Sequence, residues 1–275
     1  MAKIETITRE AIKKMLIDVV TKKLTEYNPE TENMPFHFRL IGRNKYALFS
    51  FIQSINTTFG MSIWEQTALL LAEHKWARVQ RQVDVVNDRI VPCRGRQYKL
   101  KRAVYEGMLQ TIDKYMIKLS SGNREASKRS ELSLLRNAFK KGRIISVDKE
   151  CADLYLRSKS GKEYFIDITS AKPNMKEFKA MKRKILMWQA VRLTGNPKRR
   201  VEGRIAIPYN PYYPKPYERW TLKGLYDLKR NEVMVGKEFW NFVAQEDVYD
   251  DLLEVFADAG NELKPIIDKT FEIFR

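Results

Sequence analysis

Two aspartates and a lysine near the middle of the chain have types and spacing suited to shared chemistry. Asp153 sits near the start of the run Ala152-Asp153-Leu154-Tyr155-Leu156-Arg157. Asp167 lies near the end of Glu163-Tyr164-Phe165-Ile166-Asp167-Ile168-Thr169, and Lys172 follows within one short loop. A turn over Lys159-Ser160-Gly161-Lys162 would make the two runs an antiparallel hairpin, with its carboxylates at facing strand ends. Such a pair can share one hard cation, for which magnesium is the expected choice. A nearby lysine can orient a water or neutralise developing charge. Together they suit metal-assisted hydrolysis of a phosphodiester. Alternation places Phe165, Asp167 and Thr169 on one face and Tyr164, Ile166 and Ile168 on the other. A charge among such apolar neighbours is costly unless paired or metal-bound. The bland reading is a strand-end aspartate satisfied by backbone amides.

The elements around this hairpin change period along the chain. Helical spacing covers Glu10 to Tyr27 behind Thr8, Tyr46 to Ile55, Phe59 to Glu73, Val104 to Leu119 and Glu125 to Lys140. Asn28 to Pro35 reads as a loop. Short β-type runs follow at Ile144 to Val147 and in the hairpin. Met175 to Leu193 is a long basic helix, Arg200 to Tyr209 a strand, and Val233 to Val235 the last strand. Helices open at Lys237 and run from Val248 to Phe274. The expected class is α/β (α+β): a mixed central β-sheet flanked by helices, with a mostly helical N-terminal half. We expect one domain over 1–275, with a helical part at 1–58, a catalytic core at 59–245 and C-terminal helices at 246–275.

Glu65 has two readings that stay open. Ser62 as N-cap with Glu65 three residues on would make a capping box. Alternatively, Glu65 points from its helix toward the metal site as a further catalytic carboxylate.

The formal net charge is +17, large enough to attract a polyanion. The basic residues also cluster, which favours nucleic acid. Candidate phosphate contacts are Lys176, Lys179 and Lys182 on the long helix, against the reading of a core helix with a solvated lysine face. Candidate base-reading residues are Arg94 and Arg96 in one basic loop, and Lys215 and Arg219 in the aromatic, proline-rich loop after residue 209. The start has no apolar signal core and no stretch is long enough to span a bilayer, so a cytoplasmic protein is expected. Cys93 and Cys151 fit neither a zinc spacing nor a dense disulfide framework. His37 and His74 are too few for a histidine metal site.

At these residues the chain resembles the PD-(D/E)xK nucleases, and more narrowly type II restriction endonucleases of the TdeIII type. The resemblance rests on Phe59-Gly60-Met61-Ser62-Ile63-Trp64-Glu65-Gln66, on Asp153 to Leu156, on Phe165 to Asn174 and on Gly236-Lys237-Glu238-Phe239-Trp240. It implies a magnesium-dependent homodimer that cuts both strands of a short palindrome in double-stranded DNA, with GGNCC-like targets. It also implies a cognate DNA methyltransferase. One departure matters. The family pattern places a lysine two residues after the second acid, where this chain has Thr169. A threonine hydroxyl carries no positive charge. Lys172 is the expected substitute and Lys162 a poorer one. The competing readings are a repair or junction nuclease of the same fold, and a non-catalytic DNA-binding protein on it.

Overall fold

The computed structural model describes the chain except residues 1–3, 28–34, 86–88, 94–97, 138–143, 148–150, 170, 219–221 and 273–275. It divides into two compact units, one formed by 1–71 with 246–275 and the other by 72–245.

The first unit is helical: α1 (Thr6–Thr25), α2 (Pro35–Ile41), α3 (Arg43–Thr58), α4 (Trp64–Ala72) and, from the far end of the chain, α9 (Tyr249–Glu272). Helix α1 lies along α9 because each carries an apolar stripe. Ile12, Leu16 and Leu24 face inward from one, and Leu252, Val255, Ala259 and Leu263 from the other. Arg9 binds Asp258 at 2.7 Å, and Lys13 pairs with Glu262. The expected helix start at Ser62 does not exist. A π-turn over Phe59–Ile63 joins α3 to α4 without a break, and Ser62 Oγ donates back to the Thr58 carbonyl at 3.2 Å. A helix that is already running presents no free amides to cap, so no capping box forms at Glu65.

The second unit carries the sheet. Its strands are β1 (Arg78–Val85), β2 (Ile90–Pro92), β3 (Tyr98–Lys101), β4 (Ile144–Val147), β5 (Cys151–Arg157), β6 (Glu163–Ile168), β7 (Val201–Ile207) and β8 (Val233–Val235). Its helices are α5 (Arg102–Ser120), α6 (Lys128–Arg136), α7 (Met175–Gly195) and α8 (Lys237–Ala244). Six strands form one sheet in the order β2-β1-β5-β6-β7-β8, and β3 pairs with β4 apart from it. Strands β1, β5 and β6 run antiparallel, whereas β6, β7 and β8 are parallel. Parallel neighbours need a long crossover, which α7 supplies between β6 and β7. The chain therefore has the expected mixed sheet flanked by helices.

Local chemistry explains the elements nearest the hairpin. Gly161 takes φ +79°, and Ser158 closes the turn by donating its N–H to the Lys162 carbonyl at 2.8 Å. All six residues of β6 are buried, as a central strand covered on both faces requires. Helix α7 begins in a capping box: the Glu177 N–H donates to Asn174 Oδ1 at 3.0 Å, and the Asn174 N–H to Glu177 Oε2 at 2.6 Å. Strand β7 has glycine where α7 crosses it. A Cβ at Gly203 would stand 2.5 Å from Ile185 Cβ, so only glycine lets helix and strand approach this closely.

The sequence pattern missed β1 and β2. Arg78-Val79-Gln80-Arg81-Gln82-Val83-Asp84-Val85 looks like part of a basic stretch, because its first half is exposed or half-buried and its last three residues are buried. Pairing with β5 makes it a strand, a tertiary effect that local propensity does not carry. Register also brings Cys93, just after β2, and Cys151, which opens β5, together as a disulfide with Cα atoms 5.9 Å apart. Their separation of 58 residues held no sign of this.

Glu202 on β7 gathers three cations. It accepts from Lys128 at 2.9 Å and from Arg204 at 2.9 Å, and it pairs with Lys162. Burial alone would raise its carboxyl, but Lys128, Lys162 and Arg204 outweigh burial and bring it down from 4.5 to about 2. A depressed carboxyl stabilises the fold above its unfolded value and loses that contribution as the pH falls through its folded value. Chemical denaturation should therefore show a loss of stability as pH drops from 4.5 toward 2, and this part of the pH dependence should be missing in Glu202→Gln.

Candidate active site

The site follows from strand register. Leu154 pairs with Ile166 as the last rung of the β5–β6 ladder, and continuing that register by one residue sets Asp153 beside Asp167. On the other side, Arg81 pairs with Leu154 and Val83 with Ala152, which sets Gln82 opposite Asp153. Paired residues on neighbouring strands project to the same face. Asp153 and Asp167 thus lie side by side on β5 and β6, and Gln82, at a left-handed φ of 47° in β1, extends the row through its side-chain bond to Asp153.

Each carboxylate in the row is held. Asp153, half-buried, accepts the Ile168 N–H on Oδ2 at 2.7 Å and the Gln82 amide on Oδ1 at 3.3 Å. Asp167 is 7% exposed and accepts from Lys184 Nζ on Oδ1 at 2.5 Å. Lys184 in turn lies over the Trp188 ring, 5.0 Å from its centroid.

Lys184 belongs to a stripe. Lys184, Trp188 and Arg192 are spaced by four and share one side of α7. They meet Asp167, Phe165 and Glu163, which are spaced by two on β6. Lys184 binds Asp167, the Trp188 ring lies 6.3 Å from that of Phe165, and Arg192 grips Glu163 with two hydrogen bonds of 2.6 and 2.9 Å. Eight helical residues rise about 12 Å. Four strand residues span about 13 Å. The two spacings match, so the three contacts close together and fix α7 on β6 in one register.

The cation at Asp167 is therefore Lys184 and not Lys172. Lys172 is exposed in the loop after β6, with Nζ 5.1 Å from the centroid of the Tyr212 ring. That loop is held by Tyr217, whose hydroxyl donates to the Ala171 carbonyl at 3.0 Å. Lys162 pairs with Glu202 and lies over Tyr164. The signal for Lys184 was present in the sequence as the four-residue stripe, but only beside the two-residue stripe on β6 does it have meaning. Glu65 lies in the helical unit, 2% exposed on α4.

Of the expected phosphate contacts, Lys182 is a correction. It is fully buried and donates to Glu131 at 2.7 Å and Glu232 at 2.5 Å, with the Tyr226 ring 5.4 Å away. Burial by itself would push Lys182 down, but Glu232 and Glu131 hold it above its ordinary value. Burial and the neighbouring Glu131 likewise raise the Tyr115 hydroxyl, which donates to Glu131 at 2.7 Å. Helix geometry explains the error. Steps of three residues slip about 60° per step, so Lys182 lies roughly 120° around α7 from Lys176. Arg183 is within about 20° of Lys176. Lys176 is exposed, while Lys179 and Arg183 border a groove of 670 Å³ between α5 and α7. Lys215 is exposed in its loop. Arg94, Arg96 and Arg219 lie outside the described residues.

Facing aspartates at the ends of adjacent antiparallel strands, a lysine on one of them, and a helical crossover to a parallel strand define a nuclease-type core. Comparison with known proteins gives the class directly. Residues 2–260 match the family model described as "Type II restriction endonuclease, HinfI", so the chain belongs to that family. It is similar to the type II restriction enzyme HgiBI of Herpetosiphon aurantiacus, 23% identical with 94% of each chain covered. It is similar also to HgiEI from the same organism, 24% identical with 94% of each covered. MjaII of Methanocaldococcus jannaschii is 25% identical over 82% of this chain and 61% of its own. The protein is thus a type II site-specific deoxyribonuclease, and enzymes of this class act on double-stranded DNA. The reading as a non-catalytic DNA-binding protein falls away. No described helix is long and apolar enough to cross a membrane.

Removing Lys182 would leave two buried glutamates without their cation, a loss of roughly 3–5 kcal/mol for a broken buried pair. Lys182→Met should lower the unfolding free energy measured by chemical denaturation by that much. At a temperature where the variant is folded, its DNA binding should keep the wild-type salt dependence. A shallower salt slope would return Lys182 to the phosphate contacts.

Proposed function

We propose that the enzyme hydrolyses both strands of a short palindromic DNA site with Mg2+, acting as a homodimer alongside a cognate methyltransferase. A G·C-rich target of the GGNCC kind fits the abundance of arginine and lysine for guanine edges. The observation that carries the reading is the row in which Asp153 faces Asp167 and Lys184 closes on Asp167. Two adjacent carboxylates are a hard-oxygen donor set, which suits a divalent cation of the magnesium class. Asp153 and Asp167 would hold it, and when bound it would supply charge stabilisation and an acidified water.

The chain's own groups do the positioning. The Ile168 N–H and Gln82 fix Asp153, so its carboxylate does not swing away from the row. Lys184 Nζ brings a positive charge to the edge of the carboxylate pair, where it can hydrogen-bond a phosphoryl oxygen or orient the attacking water. It takes the part left empty at Thr169. Lys176, Lys179 and Arg183 form the basic face of α7 that would meet phosphates. Arg94, Arg96, Lys215 and Arg219 remain the candidates for reading bases, and Glu65 for a supporting carboxylate.

The test is incubation with phage DNA and Mg2+, followed by sequencing of the ends. Discrete fragments sharing one end sequence are expected, whereas a smear or intact DNA sinks the proposal. Asp153→Ala, Asp167→Ala and Lys184→Ala should each slow cleavage by about a hundredfold or more while sparing DNA binding. Lys172→Ala should cut near the wild-type rate. The reverse pattern for the two lysines would return the role to Lys172.

A further inference from the structure

A second donor cluster lies beside the carboxylate row. Asp84 pairs with Cys151 across β1 and β5, and Cys93 follows β2 next to Gln82, whose carbonyl accepts the Cys93 N–H at 2.7 Å. One ligand atom from each of Asp84, Cys93 and Cys151 lies within 4.8 Å of the others. Asp84 is only 1% exposed. Its Oδ1 stands 3.6 Å from Cys151 Sγ, and its Oδ2 has no hydrogen-bond partner among the described residues. No described lysine or arginine forms an ion pair with it. An ionised carboxylate at that depth is costly without a positive partner.

We propose that Cys93, Cys151 and Asp84 bind a divalent transition metal of the zinc class. Two thiolates and a carboxylate are donors that zinc takes, with a fourth position left for water. The spacing of Asp84 Oδ1 from Cys151 Sγ fits as well, whereas the two sulfurs, bonded to each other here, must part to about 3.8 Å once reduced. A sulfur about 2.3 Å and an oxygen about 2.1 Å from a tetrahedral ion stand about 3.6 Å apart. The structure joins the two sulfurs as a disulfide, so a thiol reductant must first open it, delivering one electron and one proton to each sulfur; each thiol then binds by losing its proton to solvent. The disulfide seen here brings no positive charge to Asp84. That buried carboxylate is what favours the metal. The ion would tie the end of β2 to the start of β5. Cys151 is two residues ahead of Asp153 on the same face, so this would brace the strand pair that presents Asp153.

Cobalt titration of the full, reduced protein under anaerobic conditions tests this. A sulfur-to-cobalt charge-transfer band should appear in the near ultraviolet, saturate at one equivalent and be displaced by zinc. Cys93→Ser and Cys151→Ser should lose the band. Asp84→Asn, which keeps the side chain's shape, should weaken cobalt by more than the roughly tenfold to hundredfold that an outer group costs. Cobalt held by Asp153 and Asp167 gives no sulfur band, so Asp153→Ala should keep the band while losing cleavage. The metal site and the cleavage mechanism therefore stand or fall separately. Absence of the band in the reduced wild type overturns the proposal, as does a band that survives in both cysteine variants. So does reclosure of a Cys93–Cys151 disulfide in the presence of excess zinc.

Discussion

The contact of α7 with β6 is the constraint on which the rest of the catalytic unit depends. Strand β6 is buried along its whole length yet carries an acid at each end, Glu163 and Asp167. Buried acids are tolerable only with partners. A single helix answers both, with Arg192 at one end and Lys184 at the other, and Trp188 on Phe165 between them. The helix cannot slide by a turn without leaving two carboxylates unanswered in the interior. Its position then dictates others. Gly203 must be glycine so that β7 can lie beneath Ile185, and the parallel pairing of β6 with β7 follows from the crossover.

The two acids of β6 differ in what surrounds them. Glu163 is enclosed by a two-pronged arginine and by the Tyr155 hydroxyl, which donates to it at 3.1 Å. Burial first, then Glu163, raises the Tyr155 hydroxyl to about 12, so it remains a donor there. Nothing about that end invites a ligand. At the other end Asp167 has a single lysine on one oxygen, and Asp153 beside it. The same strand is thus sealed structurally at its start and chemically open at its finish. Lys182 shows the difference from another side. It is as basic as Lys184 and two residues away, but it is closed in by Glu131 and Glu232 and belongs to the core.

Much of this was legible in the residues. The hairpin could be read because Gly161 marks a turn between two apolar runs of strand period, and because alternation separates Asp167 from Ile166 and Ile168. Helix α7 could be read over Met175 to Leu193 from its lysine face and the apolar face opposite, while its capping box at Asn174 emerged only from the structure. Other parts were not legible. Strand β1 has a half-exposed, arginine-rich first half whose strand character comes from β5. Lys182 looked like part of a basic face because three-residue spacing resembles a helical stripe over one turn and drifts off it over two. Lys184 lay fifteen residues past the pattern position at Thr169, beyond the reach of any local motif.

The amino-acid sequence by itself determined the class of chemistry: hard carboxylate donors on a buried hairpin, a strong positive charge for DNA, and an alternation that sets Asp167 on the opposite face from Ile166 and Ile168. Those are properties of residue type and of period, and they survive without knowledge of the partners. Which lysine serves the site, which lysine supports the core and which residues stand beside Asp153 were decided only by tertiary structure. The reason is that long side chains are assigned by what the packed elements bring within a few ångströms of them. That depends on the register of α7 on β6 and of β1 on β5, and neither register is written in any one segment.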